Sequence, residues 1–290
     1  MFLSILIIGG TGDVGGHVVS QLTDAGMPVR ALVRNPEAAR LPQSVEMVRG
    51  NLTIPESLDA ALDGVDTVFL VWTAPRAAAV PALERIASHA RRIVYLSAPL
   101  KTPHPFFQQP NPGRVIAEQI ERTIESSGLE WTFLRPGMFA TNALAWWAPQ
   151  IRAGDVVRWP YLDLPTAPIH TADIAAVGVR ALCEDGHAGA EYVITGPQSL
   201  THREQIETIG RAIGRPLRAE EISPEEARVE LLSVFPPFLI DLFLNVWAAA
   251  AGHPAFMTST VEEVLGRPAR TFFEWATGIA PQWGALPGAD

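Results

Sequence analysis

Cysteine occurs once in the 290 residues, at Cys183, so an intrachain disulfide is excluded and a reducing compartment is expected. On the helix expected there, Cys183 reads as a small packed residue rather than a nucleophile. Lysine is also single, Lys101, and tyrosine occurs three times, at Tyr95, Tyr161 and Tyr192. Long apolar runs are scarce too. Apart from the N-terminal run, the one candidate is 238–251, which is too short to span a bilayer and carries Asp241 and Asn245; it reads as a core helix or a pocket wall. The N-terminal run lacks a basic flank and a small-residue cleavage site, so no signal peptide is expected. The net charge of -9, with no stretch that concentrates arginine, points away from nucleic acid and from acidic membranes. A cytoplasmic protein with a small-molecule ligand is expected, as a monomer or homodimer. His, Cys, Asp and Glu show no metal-ligand spacing, and a Gly-x-Ser-x-Gly elbow is absent.

What the sequence does contain is a glycine turn at its start. Residues 3–8 are apolar except for Ser4, the pattern of a strand covered on both faces in a parallel sheet. Gly9, Gly10, Gly12 and Gly15 follow at once, and then the amphipathic positions Val14, Val18, Val19 and Leu22. Strand, glycines and helix in this order form a dinucleotide-binding turn: the early glycines let the backbone bend against a pyrophosphate, and Gly15 lets the helix pack close to the strand. Helix amides beginning near Asp13 would face the phosphates.

Strands are expected at 27–33, 44–48, 66–71, 92–97 and 131–135, with helices at about 80–90 and 114–127 between later pairs. This alternation predicts right-handed βαβ crossovers and a Rossmann-type, doubly wound parallel α/β sheet. The second strand closes at Arg34, about twenty residues beyond the glycines, where an acid would bond a free ribose 2′-hydroxyl and an arginine accommodates a 2′-phosphate. NADP(H) is therefore expected over NAD(H), with Arg30 or Arg40 able to assist or substitute. Asn51 follows the third strand, and Trp72, Thr73 and Ala74 follow the fourth, at the carboxyl edge where open sheets keep their ligands. Residues 1–150 are expected to form the NADP-binding domain. Residues 151–290 are expected to form a small C-terminal α/β substrate-binding region, with a strand at 166–170, a helix at 174–183 and a strand at 191–195 returning to the sheet.

On these motifs, together with 31–36, 57–70, 127–142 and the C-terminal stretch 260–275, the chain resembles the NmrA-like branch of the atypical short-chain dehydrogenase/reductases. The resemblance implies a Rossmann domain with a substrate pocket against a small C-terminal region. It also implies an activity among the NADPH-dependent quinone, double-bond and iminium reductases, or else a regulator that binds NADP(H) without turnover. It places Gly9, Thr11, Gly12, Val14 and Gly15 at the pyrophosphate, Arg34 at the 2′-phosphate, Trp72 to Ala74 along the ribose and nicotinamide path, and Ser97 at the nicotinamide edge. The wider superfamily uses a Tyr-x-x-x-Lys pair as proton donor. Here the residues four beyond the three tyrosines are Pro99, Pro165 and Gly196. Arg114 stands where the NmrA-like enzymes often carry a histidine.

Candidates for proton transfer or charge stabilisation are therefore His104, on the loop after the fifth strand, Tyr161 from the substrate side, and Arg114, which could hold an oxyanion without losing a proton. Phe106, Phe107, Phe139, Trp146 and Trp159, with Trp72 and Tyr161, are expected to wall a pocket for a flat or polycyclic ligand. A reaction that asks little acid of the protein fits best: hydride delivery to a quinone, an activated alkene or an iminium.

Overall fold

The computed structural model describes residues 4–284, so Leu3, where the first strand was expected to begin, lies outside the described residues. The first half alternates as expected: β1 Ser4–Ile8, α1 Asp13–Asp24, β2 Val29–Val33, β3 Glu46–Arg49, α2 Asp59–Leu62, β4 Val65–Val71, α3 Ala79–Ala87, β5 Arg92–Leu96, α4 Pro105–Gln108, α5 Pro112–Glu125 and β6 Glu130–Pro136. The rest comprises α6 Asn142–Ala153, β7 Val156–Trp159, β8 Pro165–Thr166, α7 Thr171–Cys183, β9 Ala190–Ile194, β10 Leu200–Thr201, α8 His202–Ala212, β11 Arg218–Glu221, α9 Pro224–Leu231, α10 Pro237–Ala250, α11 Thr260–Leu265 and α12 Phe272–Gly278.

Seven strands form one sheet in the order β3-β2-β1-β4-β5-β6-β9, every pair parallel. This is the doubly wound Rossmann arrangement, and the chain reverses direction across the sheet between β1 and β4, which puts a crevice at their carboxyl ends. One face packs on α1 and α7 through Val14, Val18, Ile174 and Val177; the other packs on α2, α3 and α5 through Leu62, Leu83, Ile120 and Ile124. Both faces being covered explains why the central strands carry apolar residues on both sides.

A second core begins at Met138 and runs through α6, α8, α9, α10 and α12. It is built on tryptophan: Trp146, Trp147, Trp159, Trp247, Trp275 and Trp283 are all buried. Trp146 and Trp247 meet edge to face at 5.5 Å, a geometry that adds about 0.5–1.5 kcal/mol beyond area burial. The strand expected at 166–170 is a correction. Pro165 and Thr166 pair antiparallel with β10, outside the main sheet, and Ile169 makes a single bridge to Phe139, because Pro165 and Pro168 have no N–H to give a continuous ladder. Residues 171–194 do return to the Rossmann layers as α7 and β9.

Candidate functional site

The glycine turn is tight in ways that only glycine permits. Gly9 has φ +92°, and a Cβ on Gly15 would lie 2.1 Å from the Gly9 carbonyl oxygen. Gly12 caps α1 without a side chain, so the first-turn amides stay open toward the carboxyl edge of the sheet. A groove of about 700 Å³ runs from this turn, past Arg34, Arg40 and Asn51, to Thr73 and Ala74. The cradle, the open helix amides and the basic end fit a dinucleotide bearing an extra phosphate. Two of the expected contacts differ in kind: the Val14 side chain is buried in the core and the Asp13 side chain is exposed outside the groove, so each can offer the cofactor only its backbone N–H.

The basic end separates cleanly by partner. Arg34 and Arg40 line the groove and form no ion pair with any described residue. Arg30, expected as a possible substitute, is engaged elsewhere: it pairs with Glu46 at 2.8 Å and donates to the carbonyls of Ala61 and Asp63.

A second cavity, of about 490 Å³, adjoins the groove and shares Ala74 with it. Trp72, Tyr95 and Ser97 come from the sheet edge, Phe106, Phe107 and Arg114 from the 98–114 segment, Trp146 from α6, and Leu242, Phe243, Val246 and Trp247 from α10. Trp72 is steadied by its own indole N–H, which donates to the Ala74 carbonyl at 2.6 Å. Tyr95 and Ser97 share one face of β5, as period-two alternation requires, and burial pushes the Tyr95 phenol well above its ordinary range.

Four residues expected at the pocket lie elsewhere. Both ring nitrogens of His104 are engaged, Nδ1 accepting from the Phe106 amide as the cap of α4 and Nε2 donating to the Pro254 carbonyl, so the ring ties a loop down. Tyr161 sits in a turn with φ +53° and packs against the tryptophan core. Trp159 is 1% exposed inside that core, behind Trp146. Phe139 turns to the α1 and α7 side of the sheet and is tied by a backbone bridge to Ile169. Arg114 does reach the cavity, but its two terminal nitrogens donate to the carbonyls of Phe107 and Leu100.

Sequence reasoning missed two features. One is the open face of α10: the 238–251 run was expected as a core helix or a pocket wall, but not that Leu242, Phe243, Val246 and Trp247 would be the residues to line the cavity. The other is a buried polar chain beneath the cavity, in which the Ser97 hydroxyl donates to Glu121 at 2.6 Å and Glu121 is held by Arg135, 1% exposed. A glutamate on the apolar stripe of α5 and an arginine inside an apolar strand were the available signal, since buried charges need partners.

With this geometry in hand, the comparisons agree. The NAD(P)H-binding family matches residues 9–185. A (4-alkanoyl-5-oxo-2,5-dihydrofuran-3-yl)methyl phosphate reductase of Streptomyces griseus is 40% identical over 292 residues, covering 96% of this chain and all of that one. An NAD(P)H azoreductase of Xenophilus azovorans is 35% identical, over 97% of this chain and 99% of its own. Among solved structures, Citrobacter sp. triphenylmethane reductase complexed with NADP(H) superposes with a TM-score of 0.79 at 19% identity, over 96% of this chain and 100% of that one. The chain belongs to the NAD(P)H-binding family. It is an NAD(P)H-dependent oxidoreductase. Among the described residues, no helix is long and apolar enough to cross a membrane.

Proposed function

We propose that this protein uses NADPH to reduce a flat, largely apolar acceptor whose double bond is already polarised, as in a quinone, an iminium or, best of the three, an activated alkene. The observation that carries this reading is the 490 Å³ cavity: it meets the cofactor groove at Ala74, is walled by Phe106, Phe107, Trp146, Phe243 and Trp247, and its ionisable lining is Tyr95, whose burial makes the phenol hold its proton more tightly, and Arg114, gripped by two carbonyls. Bound NADPH supplies the hydride. The protein's own residues hold the acceptor by stacking and by excluding water from its faces. A quinone or an activated alkene must then tolerate the negative charge it gains until solvent returns a proton through the open side of the cavity, whereas an iminium becomes a neutral amine and needs no proton. That requirement selects conjugated, electron-poor acceptors over plain ketones. The names of the two relatives fit the demand for a conjugated acceptor: one is a reductase of an alkanoyl-oxo-dihydrofuranyl methyl phosphate, the other an azoreductase.

The assignments within the site follow the same geometry. Gly9, Thr11, Gly12 and Gly15 cradle the pyrophosphate, Arg34 and Arg40 hold the 2′-phosphate, Thr73 and Ala74 follow the ribose, and Trp72 and Ser97 border the nicotinamide end. Arg114, gripped by two carbonyls, keeps three of its five N–H donors for charge developing in the cavity. The test is NADPH consumption with four acceptors: a naphthoquinone, an α,β-unsaturated lactone, a cyclic iminium and an azo dye. Turnover is expected with at least one, highest for the lactone or the quinone. Tight NADPH binding with no turnover of any acceptor would overturn the enzymatic reading in favour of an NADP(H) sensor.

A further inference from the structure

The polar chain beneath the cavity is costly to bury and is unnecessary for packing. Glu121 is 4% exposed and Arg135 1% exposed. Arg135 grips Glu121 with two donors, Nε to Oε1 at 2.9 Å and Nη2 to Oε2 at 2.7 Å, while its remaining terminal nitrogen donates to Glu191. Glu191 in turn accepts from Lys101 Nζ at 2.8 Å, so the chain ends at the surface with its charges balanced. Replacing a buried ion pair with apolar residues is often neutral or stabilising, so stability alone does not account for this arrangement. Its inner end does one further thing. Glu121 Oε1 accepts from the Ser97 hydroxyl at 2.6 Å, and Ser97 is the member of the chain that stands at the cavity floor, on the carboxyl end of β5.

A serine hydroxyl has one hydrogen and two lone pairs. A carboxylate held by a guanidinium has no hydrogen of its own to give, so the hydrogen between the two groups belongs to Ser97. The hydroxyl therefore shows the cavity lone pairs only: it can accept a hydrogen bond from a ligand and cannot donate one. At the reactive end of a nicotinamide cofactor, the group that donates hydrogen bonds is the carboxamide NH₂. We propose that Glu121, fixed by Arg135, is a positioning residue that makes Ser97 an obligatory acceptor for the carboxamide N–H and thereby sets how the nicotinamide ring is turned toward the acceptor cavity. The inference rests on the reading that this cavity receives the nicotinamide. It also removes Ser97 as a donor to the substrate.

The experiment is a binding measurement that needs no turnover. Dissociation constants of NADP⁺ and of its 3-acetylpyridine analogue, in which a methyl replaces the carboxamide NH₂, are measured by calorimetry on the wild-type protein, Ser97→Ala and Glu121→Gln. One hydrogen bond predicts that the wild type binds the analogue about tenfold more weakly than NADP⁺. Ser97→Ala should bring the two ligands within about twofold of each other, mainly by weakening NADP⁺, and this variant leaves the Glu121–Arg135 pair intact. In Glu121→Gln the amide can donate to Ser97 and release its hydrogen toward the cavity, so the preference should again disappear. A general structural role for the network would weaken both ligands equally and leave the ratio unchanged. Retention of the tenfold preference in Ser97→Ala, or equal binding of the two ligands by the wild type, would overturn the inference while leaving cofactor binding in place. Failure of the wild type to bind NADP⁺ at all would overturn both this inference and the reading beneath it.

Discussion

Replacing Arg34 should remove most of the preference for NADPH over NADH. Arg34 and Arg40 are the two arginines that line the groove, and neither is paired with a carboxylate among the described residues, whereas Arg30 and Arg49 are paired with Glu46 and Glu37. A hydrogen bond to a charged group contributes about 1.5–3 kcal/mol. Arg34 is exposed, which places its share at the lower end and, at about 1.4 kcal/mol per tenfold, makes it worth about one order of magnitude in affinity. Arg34→Ala should therefore weaken NADPH about tenfold and leave NADH within about twofold. Adding Arg40→Ala should remove the remaining preference, and Arg30→Ala should not change the ratio. Because both arginines face water, the wild-type preference should also shrink between 0.05 and 0.5 M salt, as the Debye length falls from more than about 10 Å to less than half of that. Fluorescence titration of both cofactors against the four proteins gives the ratio directly. Equal wild-type affinities, or a ratio untouched in the double variant, would refute the assignment of this end of the groove to the 2′-phosphate.

Two further outcomes follow from the geometry. His202 is fully buried among Trp146, Trp147 and Trp247, and burial lowers its pKa from 6.5 to about 4, with the carbonyls of Pro160 and Tyr161 acting weakly in the other direction. The unfolded chain takes this proton below pH 6.5 and the folded chain only below about pH 4. Stability is therefore lost as the pH falls through that window, by about 2 kcal/mol at pH 5 for this residue. Urea unfolding at pH 7.5 and pH 5 should show a smaller loss in His202→Phe than in the wild type, and identical losses would contradict the assignment. The second outcome concerns the proton. His104→Ala, Tyr161→Phe, Tyr95→Phe and Lys101→Ala should each keep turnover within a few-fold, with His104→Ala showing its effect as a less stable loop. A true general acid contributes about 10²–10⁴-fold, so a hundredfold fall in any folded variant would identify the donor and refute proton supply by solvent.

The parts of the fold that local chemistry dictates were legible in the sequence. The glycine turn could be read because Gly9 and Gly15 answer backbone constraints that no side chain can meet, and the doubly wound parallel sheet because its central runs, apolar on both faces, alternate with helical periods. The position of Arg34 on the groove could be read because a strand end in a known topology has one neighbourhood. The pocket was half legible. An aromatic residue carries the same apolar signal whether it lines a cavity or fills a core, so Phe106, Phe107 and Trp146 could not be told from Trp159 and Phe139 without knowing how α6 and α10 pack. His104 misled for a related reason: it does lie in the segment after β5, but its two ring nitrogens are claimed by Phe106 and Pro254, and the second of those lies 150 residues away. The Glu121–Arg135 pair was visible only as two charges out of place.

The central claim is that the aromatic cavity receives an acceptor to which NADPH held in the glycine-turn groove gives its hydride. Its most direct test is a single turnover: protein loaded with one equivalent of NADPH is mixed anaerobically with excess of an acceptor that passes the four-compound screen, and the nicotinamide absorbance is followed. The account predicts one exponential loss of NADPH whose rate saturates with acceptor concentration, together with one reduced product per protein. NADPH that stays reduced, or that disappears at a rate rising linearly with acceptor and equal to the rate of free NADPH, would contradict it.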